Sequence, residues 1–212
     1  MKVLGVSCSP RRQETTDQLV QSVLAGCDCQ TEFISLAGKD IGPCRACLGC
    51  VETNECAVQD DMAALREQIL GADAYVIGAP TYFRLLNGLA HCFLERFFQF
   101  RHREAMPLAG RFGVAVGVGG RDGVAAAQTI QAFFESNQIT CIGSVTAQGA
   151  FARFTFGYGA ECRVGGFAKV FGEREITPSI KPDLAKQPWK VAEAEALGAR
   201  LVRRLDAAHV KA

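Results

Sequence analysis

Short apolar runs alternate along this chain with longer stretches whose apolar residues recur at helical spacing. Residues 2–8 (KVLGVSC) read as a strand, and residues 16–25 as a helix with Leu19, Val20, Val23 and Leu24 on one face. A weaker strand follows at 32–36, then a cysteine-rich loop, then a helix at 61–70 whose first turn Asp60 or Asp61 can cap. Residues 74–79 (AYVIGA) carry no polar side-chain atom beyond the Tyr75 hydroxyl, the pattern of a strand buried on both faces. Residues 85–100 are expected to be helical, 112–118 a buried strand, 124–136 a helix and 139–145 a fifth strand. Residues 190–206, rich in Ala, Glu, Leu and Arg, form a closing helix with Trp189 as its anchor. Strands separated by helices run parallel, with the helices on both faces. The expected fold is therefore α/β, a doubly wound five-stranded parallel sheet in three α-β-α layers. Residues 148–188 are Gly- and aromatic-rich without clear periodicity, and read as loop with room for a hairpin.

Composition narrows the function. The 212 residues suit a single domain over 1–212, with no internal repeat. A net charge of +1 without a Lys/Arg block disfavours a nucleic-acid partner. No stretch reaches the roughly 18 consecutive apolar residues a membrane helix requires, and no secretory leader pattern precedes the first strand. Ten cysteines without such a leader point to thiols in a reducing cytoplasm, where clustered sulfurs are metal ligands or redox groups more often than disulfides.

Four of them, Cys44, Cys47, Cys50 and Cys56, share the loop over 42–57 in the spacing C-x2-C-x2-C-x5-C. Two-residue gaps turn several sulfurs toward one region, with Gly42 and Gly49 expected to supply the backbone freedom. A zinc site more often shows two separated C-x2-C pairs or a Cys/His mixture, and none of the three histidines is close in sequence. The bacterial ferredoxin run ends C-x3-C-P and serves two clusters; here the last gap is longer, Ala57 replaces Pro, and no second run exists. One [4Fe-4S] cluster on all four sulfurs is the better reading, with redox thiols and a zinc module as alternatives. Cys27, Cys29, Cys92 and Cys141 read as small core or surface residues, and His91 and His102 as residues on or beside the long helix. Cys162 is a stray thiol and a candidate for a redox role.

In an open parallel sheet, ligands bind beyond the carboxyl ends of the strands. After the first strand, Ser7, Ser9, Thr15 and Thr16 with Arg11 and Arg12 at a helix N-terminus make a phosphate cradle. Neither G-x-x-x-x-G-K-[ST] nor G-x-G-x-x-G is present there. After the third strand come Pro80, Thr81, Tyr82 and Phe83, and after the fourth Gly119, Gly120 and Arg121. Aromatics there can flank a flat ring, and glycines let backbone approach one.

Together these residues resemble the flavodoxin-like NAD(P)H-dependent FMN reductases and, with the cysteines, their iron–sulfur flavoprotein branch, from the N-terminus to about Val145. The family's phosphate loop runs G-S-P-R-x-x-G-N-T. Here Ser9, Pro10, Arg11 and Thr16 match, Cys8 replaces the first Gly, and Glu14 and Thr15 replace Gly-Asn, with Arg11 and Arg12 placed to offset the Glu14 charge. The family's S-P-x-Y-F/W-G becomes Ala79-Pro80-Thr81-Tyr82-Phe83-Arg84. Asp60-Asp61-Met62 and Phe93-Leu94-Glu95-Arg96 also look like the family. The resemblance implies an FMN-dependent oxidoreductase passing electrons between a [4Fe-4S] cluster and FMN. Its donor would be ferredoxin or NAD(P)H, its assembly a homodimer or homotetramer, and no side chain need act as a catalytic acid or base. A cluster-free NAD(P)H-dependent FMN, quinone or nitro reductase is the alternative function.

Overall fold

The structure, a computed structural model, describes residues 1–102, 106–150 and 177–210. Five parallel strands form its centre: β1 (Lys2–Ser7), β2 (Gln30–Ser35), β3 (Ala74–Tyr82), β5 (Phe112–Gly119) and β6 (Thr140–Gln148). They lie in the order β2-β1-β3-β5-β6, and a two-residue strand β4 (Leu85–Leu86) pairs antiparallel with the end of β3. Apart from that addition, this is the flavodoxin-like doubly wound order, in which the chain leaves the centre in opposite directions from β1 and β3.

Alternate residues of each strand feed opposite cores, as the pleat requires. Val3, Val76, Val114 and Val116 face α1 (Thr15–Ala25) and α5 (Pro188–His209). Leu4, Val6, Tyr75, Ile77 and Ala115 face the other side, where Met62, Leu65 and Ile69 come from α2 (Asp61–Leu70) and Phe93 from α3 (Gly88–Glu95). Ile130 and Phe134 of α4 (Val124–Ser136) join this second core. Asp60 caps α2, its Oδ1 accepting from Met62 N at 3.0 Å.

The continuous helix expected over 85–100 is broken into pieces. Phe83 and Arg84 both take positive φ, 53° and 65°. Two such residues between the register pairs Tyr82–Leu85 and Thr81–Leu86 make a tight hairpin, whose twist matches the flanking strands. The family glycine replaced by Arg84 therefore falls at a left-handed position. After α3 the chain tightens into a 3-10 turn at Arg96–Phe100, which buries Arg96, Phe97, Gln99 and Phe100 together. Trp189 is 62% exposed at the second residue of α5 and does not anchor it. Apolar residues Ala194, Leu197, Leu201 and Leu205 do that instead. The hairpin expected within 148–188, and Cys162, fall mostly on 151–176, outside the described residues. The described part of that stretch holds 3-10 turns at Pro178–Ile180 and Leu184–Lys186.

Helices α1 and α5 cross closely enough that a Cβ on Gly198 would strike the Val23 carbonyl oxygen. Gly198→Ala should therefore destabilise the protein by about 1–3 kcal/mol. Gly88→Ala, where no atom lies within 4 Å of the added methyl, should leave stability unchanged or raise it by up to about 1 kcal/mol. Urea unfolding of both variants checks the contrast, and equal effects would contradict the close helix crossing.

Candidate active site at the carboxyl rim of the sheet

The loops after β1, β2, β3 and β5 all emerge at one edge of the sheet, where ligands of such folds bind. The first loop is held by its own side chains. Ser9 Oγ, in a residue only 2% exposed, accepts from Arg11 N at 3.1 Å and donates to the Arg11 carbonyl at 3.0 Å. Asp17 Oδ2 accepts from Gln13 N at 2.8 Å, while its Oδ1 is buried without a hydrogen-bond partner. Gln13 needs a positive φ of 58° to make the turn. Thr15 and Thr16 open α1, where the first-turn N–H groups have no carbonyl within the helix to bond.

Both arginines of the first loop bond to backbone carbonyls. Arg11 Nη2 donates to the Ala150 carbonyl at 2.8 Å, tying the first loop to the end of β6, and Arg12 Nη2 donates to the Ala37 carbonyl at 2.8 Å. Lys181 Nζ lies 3.7 Å from Glu14 Oε1. Cys8, fully buried, has its thiol pushed far above the usual range by burial alone, and stays a neutral packing group.

Pro80 ends the buried part of β3, Thr81 Oγ1 donates to the Val118 carbonyl at 3.3 Å, and the hairpin then lifts Tyr82 and Phe83 into solvent. Phe83 is 99% exposed, a poor position for a phenyl ring unless something covers it. Asn87, which the sequence reading passed over, joins the hairpin to the first loop. Its backbone N donates to the Pro80 carbonyl and its Nδ2 to the Cys8 carbonyl at 2.9 Å. Its Oδ1 is buried with no partner, an acceptor left open between the two loops. Gly119 has no room for a side chain. A Cβ there would strike the Asp122 carbonyl and lie 2.5 Å from Thr81 Oγ1, so the glycine closes a tight turn within the protein. The Gly120 carbonyl accepts from Gln148 Nε2 at 2.7 Å, which ties this loop to β6.

The four cysteines stand on one loop between β2 and α2, with Cys50 buried, Cys44 and Cys56 half-buried and Cys47 exposed. Its left-handed residues are Ala46 (φ 50°), Leu48 (57°) and Asn54 (56°), not Gly42 or Gly49. The turns between the cysteines are thus made by side-chain-bearing residues, at some cost in strain. Burial pushes the Cys50 thiol up, and the neighbouring Cys56, Cys44 and Cys47 push it further. Among the described residues, no three His, Cys, Asp or Glu are gathered about one point as around a single metal ion. A histidine does reach the loop, against expectation: His102 Nε2 lies 3.2 Å from Cys50 Sγ.

The neck of the loop is pinned from the 3-10 turn. Arg96, with no exposed side-chain surface, pairs with Asp60, and its Nη1 and Nη2 donate to the Gly42 and Val58 carbonyls at 3.1 Å each. Asp60 Oδ2 also accepts from Gly42 N at 3.0 Å. Burial raises the Asp60 carboxyl, but the Arg96 guanidinium and the Gly42 and Met62 N–H groups outweigh it and hold the carboxyl below the usual range. Burial likewise pulls Arg96 down, and Asp60 with the adjacent Cys56 thiol holds it above its ordinary value. The sequence displayed both residues in family-like motifs but carried no sign of their pairing.

Arg96→Met should cost about 3–5 kcal/mol by stranding the Asp60 carboxylate. Because the folded carboxyl titrates below the unfolded value of about 4, its stabilisation is complete above that value and is lost as pH falls through the folded one. Asp60→Asn should therefore flatten the acid limb of the stability–pH curve, read by urea unfolding at stepped pH. An unchanged acid limb would contradict the assignment.

The chain matches the model of the NADPH-dependent FMN reductase family over residues 1–152. It is 35% identical to an iron–sulfur flavoprotein of Methanocaldococcus jannaschii over 122 residues, 56% of this chain and 62% of that protein. A second iron–sulfur flavoprotein of the same organism is 32% identical over 149 residues, 68% of this chain and 75% of that one. Among solved structures, RosB with bound 8-demethyl-8-formylriboflavin-5'-phosphate superposes with a TM-score of 0.62 at 17% identity. That match covers 97% of this chain and 80% of RosB, and at such identity it speaks for the fold alone. With its two-sided sheet, its three rim loops and its four-cysteine loop, the chain belongs to the NADPH-dependent FMN reductase family, in the iron–sulfur flavoprotein branch.

Proposed function

We propose that the protein is a flavin-dependent oxidoreductase that binds FMN at the first loop and hairpin, and one [4Fe-4S] cluster on Cys44, Cys47, Cys50 and Cys56. The observation that carries the reading is the common rim: the four-thiol loop and the flavin-type loops leave the same edge of one sheet. The family membership and the names of its relatives support both cofactors.

The residues present fit an FMN. The open N–H groups of Thr15 and Thr16, at the positive end of α1, suit a terminal phosphate. Ser9 shapes the turn below it, and Arg11 adds positive charge at its edge. Tyr82 and Phe83 offer exposed aromatic faces beside Pro80 and Thr81, the Gly119–Gly120 turn borders them, and Asn87 Oδ1 is an acceptor awaiting a donor. The chemistry of the donor set, four cysteine sulfurs on one loop with the Arg96 guanidinium beside Cys56, suits an anionic thiolate-bound cluster. When bound, the flavin supplies two-electron and one-electron chemistry and the cluster a one-electron port. The chain's own work is to bind, orient and shield them. Ferredoxin or NAD(P)H serves as donor, the assembly is a homodimer or homotetramer, and the compartment is the cytoplasm. Among the described residues no helix is long and apolar enough to cross a membrane.

Anaerobic purification with iron, sulfide and flavin analysis tests the reading. The wild type should carry about four irons per chain together with FMN. Cys47→Ala, at an exposed thiol, should lose the iron and keep the flavin. Flavin without iron in the wild type would move the protein to a cluster-free reductase, and neither chromophore would leave a zinc or thiol module. Arg11→Ala should weaken FMN by about 1.5–3 kcal/mol while leaving riboflavin binding nearly unchanged. Equal losses for the two ligands in a binding titration would show that the loop does not read phosphate.

A further inference from the structure

His102 stands outside every motif the sequence displayed, yet its position is fixed more tightly than that of a surface histidine. Asn54, inside the cysteine loop between Cys50 and Cys56, grips its backbone twice: Oδ1 accepts from His102 N at 3.1 Å, and Nδ2 donates to the His102 carbonyl at 3.2 Å. Asn54 is itself in the left-handed region and donates its N–H to the Cys50 carbonyl at 2.8 Å. Asn tolerates that conformation better than most residues. The Phe98 ring meets the imidazole edge-on, centroids 4.7 Å apart at 84°. The result is Nε2 at 3.2 Å from Cys50 Sγ, in a cysteine only 8% exposed.

We propose that His102 is a positioning residue of the cysteine loop, donating its Nε2–H to the Cys50 sulfur and so raising the reduction potential of the iron–sulfur group held there. This rests on the cluster reading above. With a free thiol either atom could donate. An iron-bound sulfur has no proton left, so only the imidazole can, and the bond selects the tautomer protonated at Nε2. With Cys50 only 8% exposed, the contact is partly shielded from water, which preserves part of its electrostatic weight. An added electron makes the ligand sulfurs more negative, and a donor fixed on one of them stabilises the reduced state more than the oxidised one. The Asn54 grip explains why the donor is held even though the residue lies outside the loop in sequence.

Three full-length proteins decide it: wild type, His102→Phe and His102→Gln, purified anaerobically and matched for iron and sulfide. Phe keeps a ring against Phe98 and removes the donor, whereas Gln keeps an N–H donor of similar reach. Spectroelectrochemical titration at one pH should place the His102→Phe cluster at a more negative midpoint potential than wild type, with His102→Gln restored toward wild type. A His102→Phe potential equal to wild type, or equal shifts in Phe and Gln, would overturn the proposal. Loss of iron in His102→Phe alone would overturn it too, because a donor to an already ligated sulfur does not decide loading. A wild type that holds no iron would fail the cluster reading itself, an outcome seen in the iron analysis before any potential is measured.

Discussion

A guanidinium with no exposed side-chain surface depends on buried acceptors, and the two Nη groups of Arg96 find them at the two ends of the cysteine loop. Its partner Asp60 begins α2, accepts from Met62 N and Gly42 N, and so joins helix start, loop entry and loop exit in one charge-assisted network. The neck is closed further by Asp40 and Asp61, whose backbone and side chain bond reciprocally. A long loop without secondary structure loses much conformational entropy on folding. Anchoring its neck restricts the search that the four thiols must make, whatever they hold. The same 3-10 turn gives Gln99 Oε1 to the Cys56 N–H at 3.1 Å, and Glu95 from the end of α3 accepts from Cys44 N. One short segment after α3 thus orders most of the cysteine loop.

The flavin-type loops depend on the sheet in a different way. α1 and α5 pack tightly against one face through Val20, Val23 and Leu201, which sets the N-terminus of α1 at the rim. Arg11 then ties the first loop to Ala150 beyond β6, and Asn87 ties it to the hairpin beyond β3. Strands two apart in the sheet are coupled through that single loop. The left-handed pair Phe83 and Arg84 holds the hairpin upright, and exposes an aromatic ring that water alone would not favour.

The strands and most helices were legible because a fully buried parallel strand and an amphipathic helix leave different periods in the sequence. The helices Asp61–Leu70 and Val124–Ser136 have the expected limits. The segment over 85–100 was not legible as three pieces. Its apolar spacing suits a helix throughout, and a hairpin turned by Phe and Arg carries no Gly or Asn to announce it. The cysteine spacing marked the loop, but not the residues that serve it. Arg96, Asn54 and His102 act on the loop through contacts between residues 36 to 54 positions apart, which no local pattern encodes. The glycines of the cysteine loop misled for a related reason: Gly42 and Gly49 suggest where the backbone turns, while the left-handed positions fall on Ala46, Leu48 and Asn54.

The central claim is that the cysteine loop feeds electrons to a flavin on the same rim. Rapid mixing of the anaerobic holoprotein with reduced ferredoxin, followed at the flavin absorption, tests it most directly when wild type and Cys47→Ala are compared. The account predicts flavin reduction in the wild type and little or none in the variant, both carrying full FMN. Equal rates in the two proteins would contradict it, because the flavin would then take its electrons without the cysteine loop.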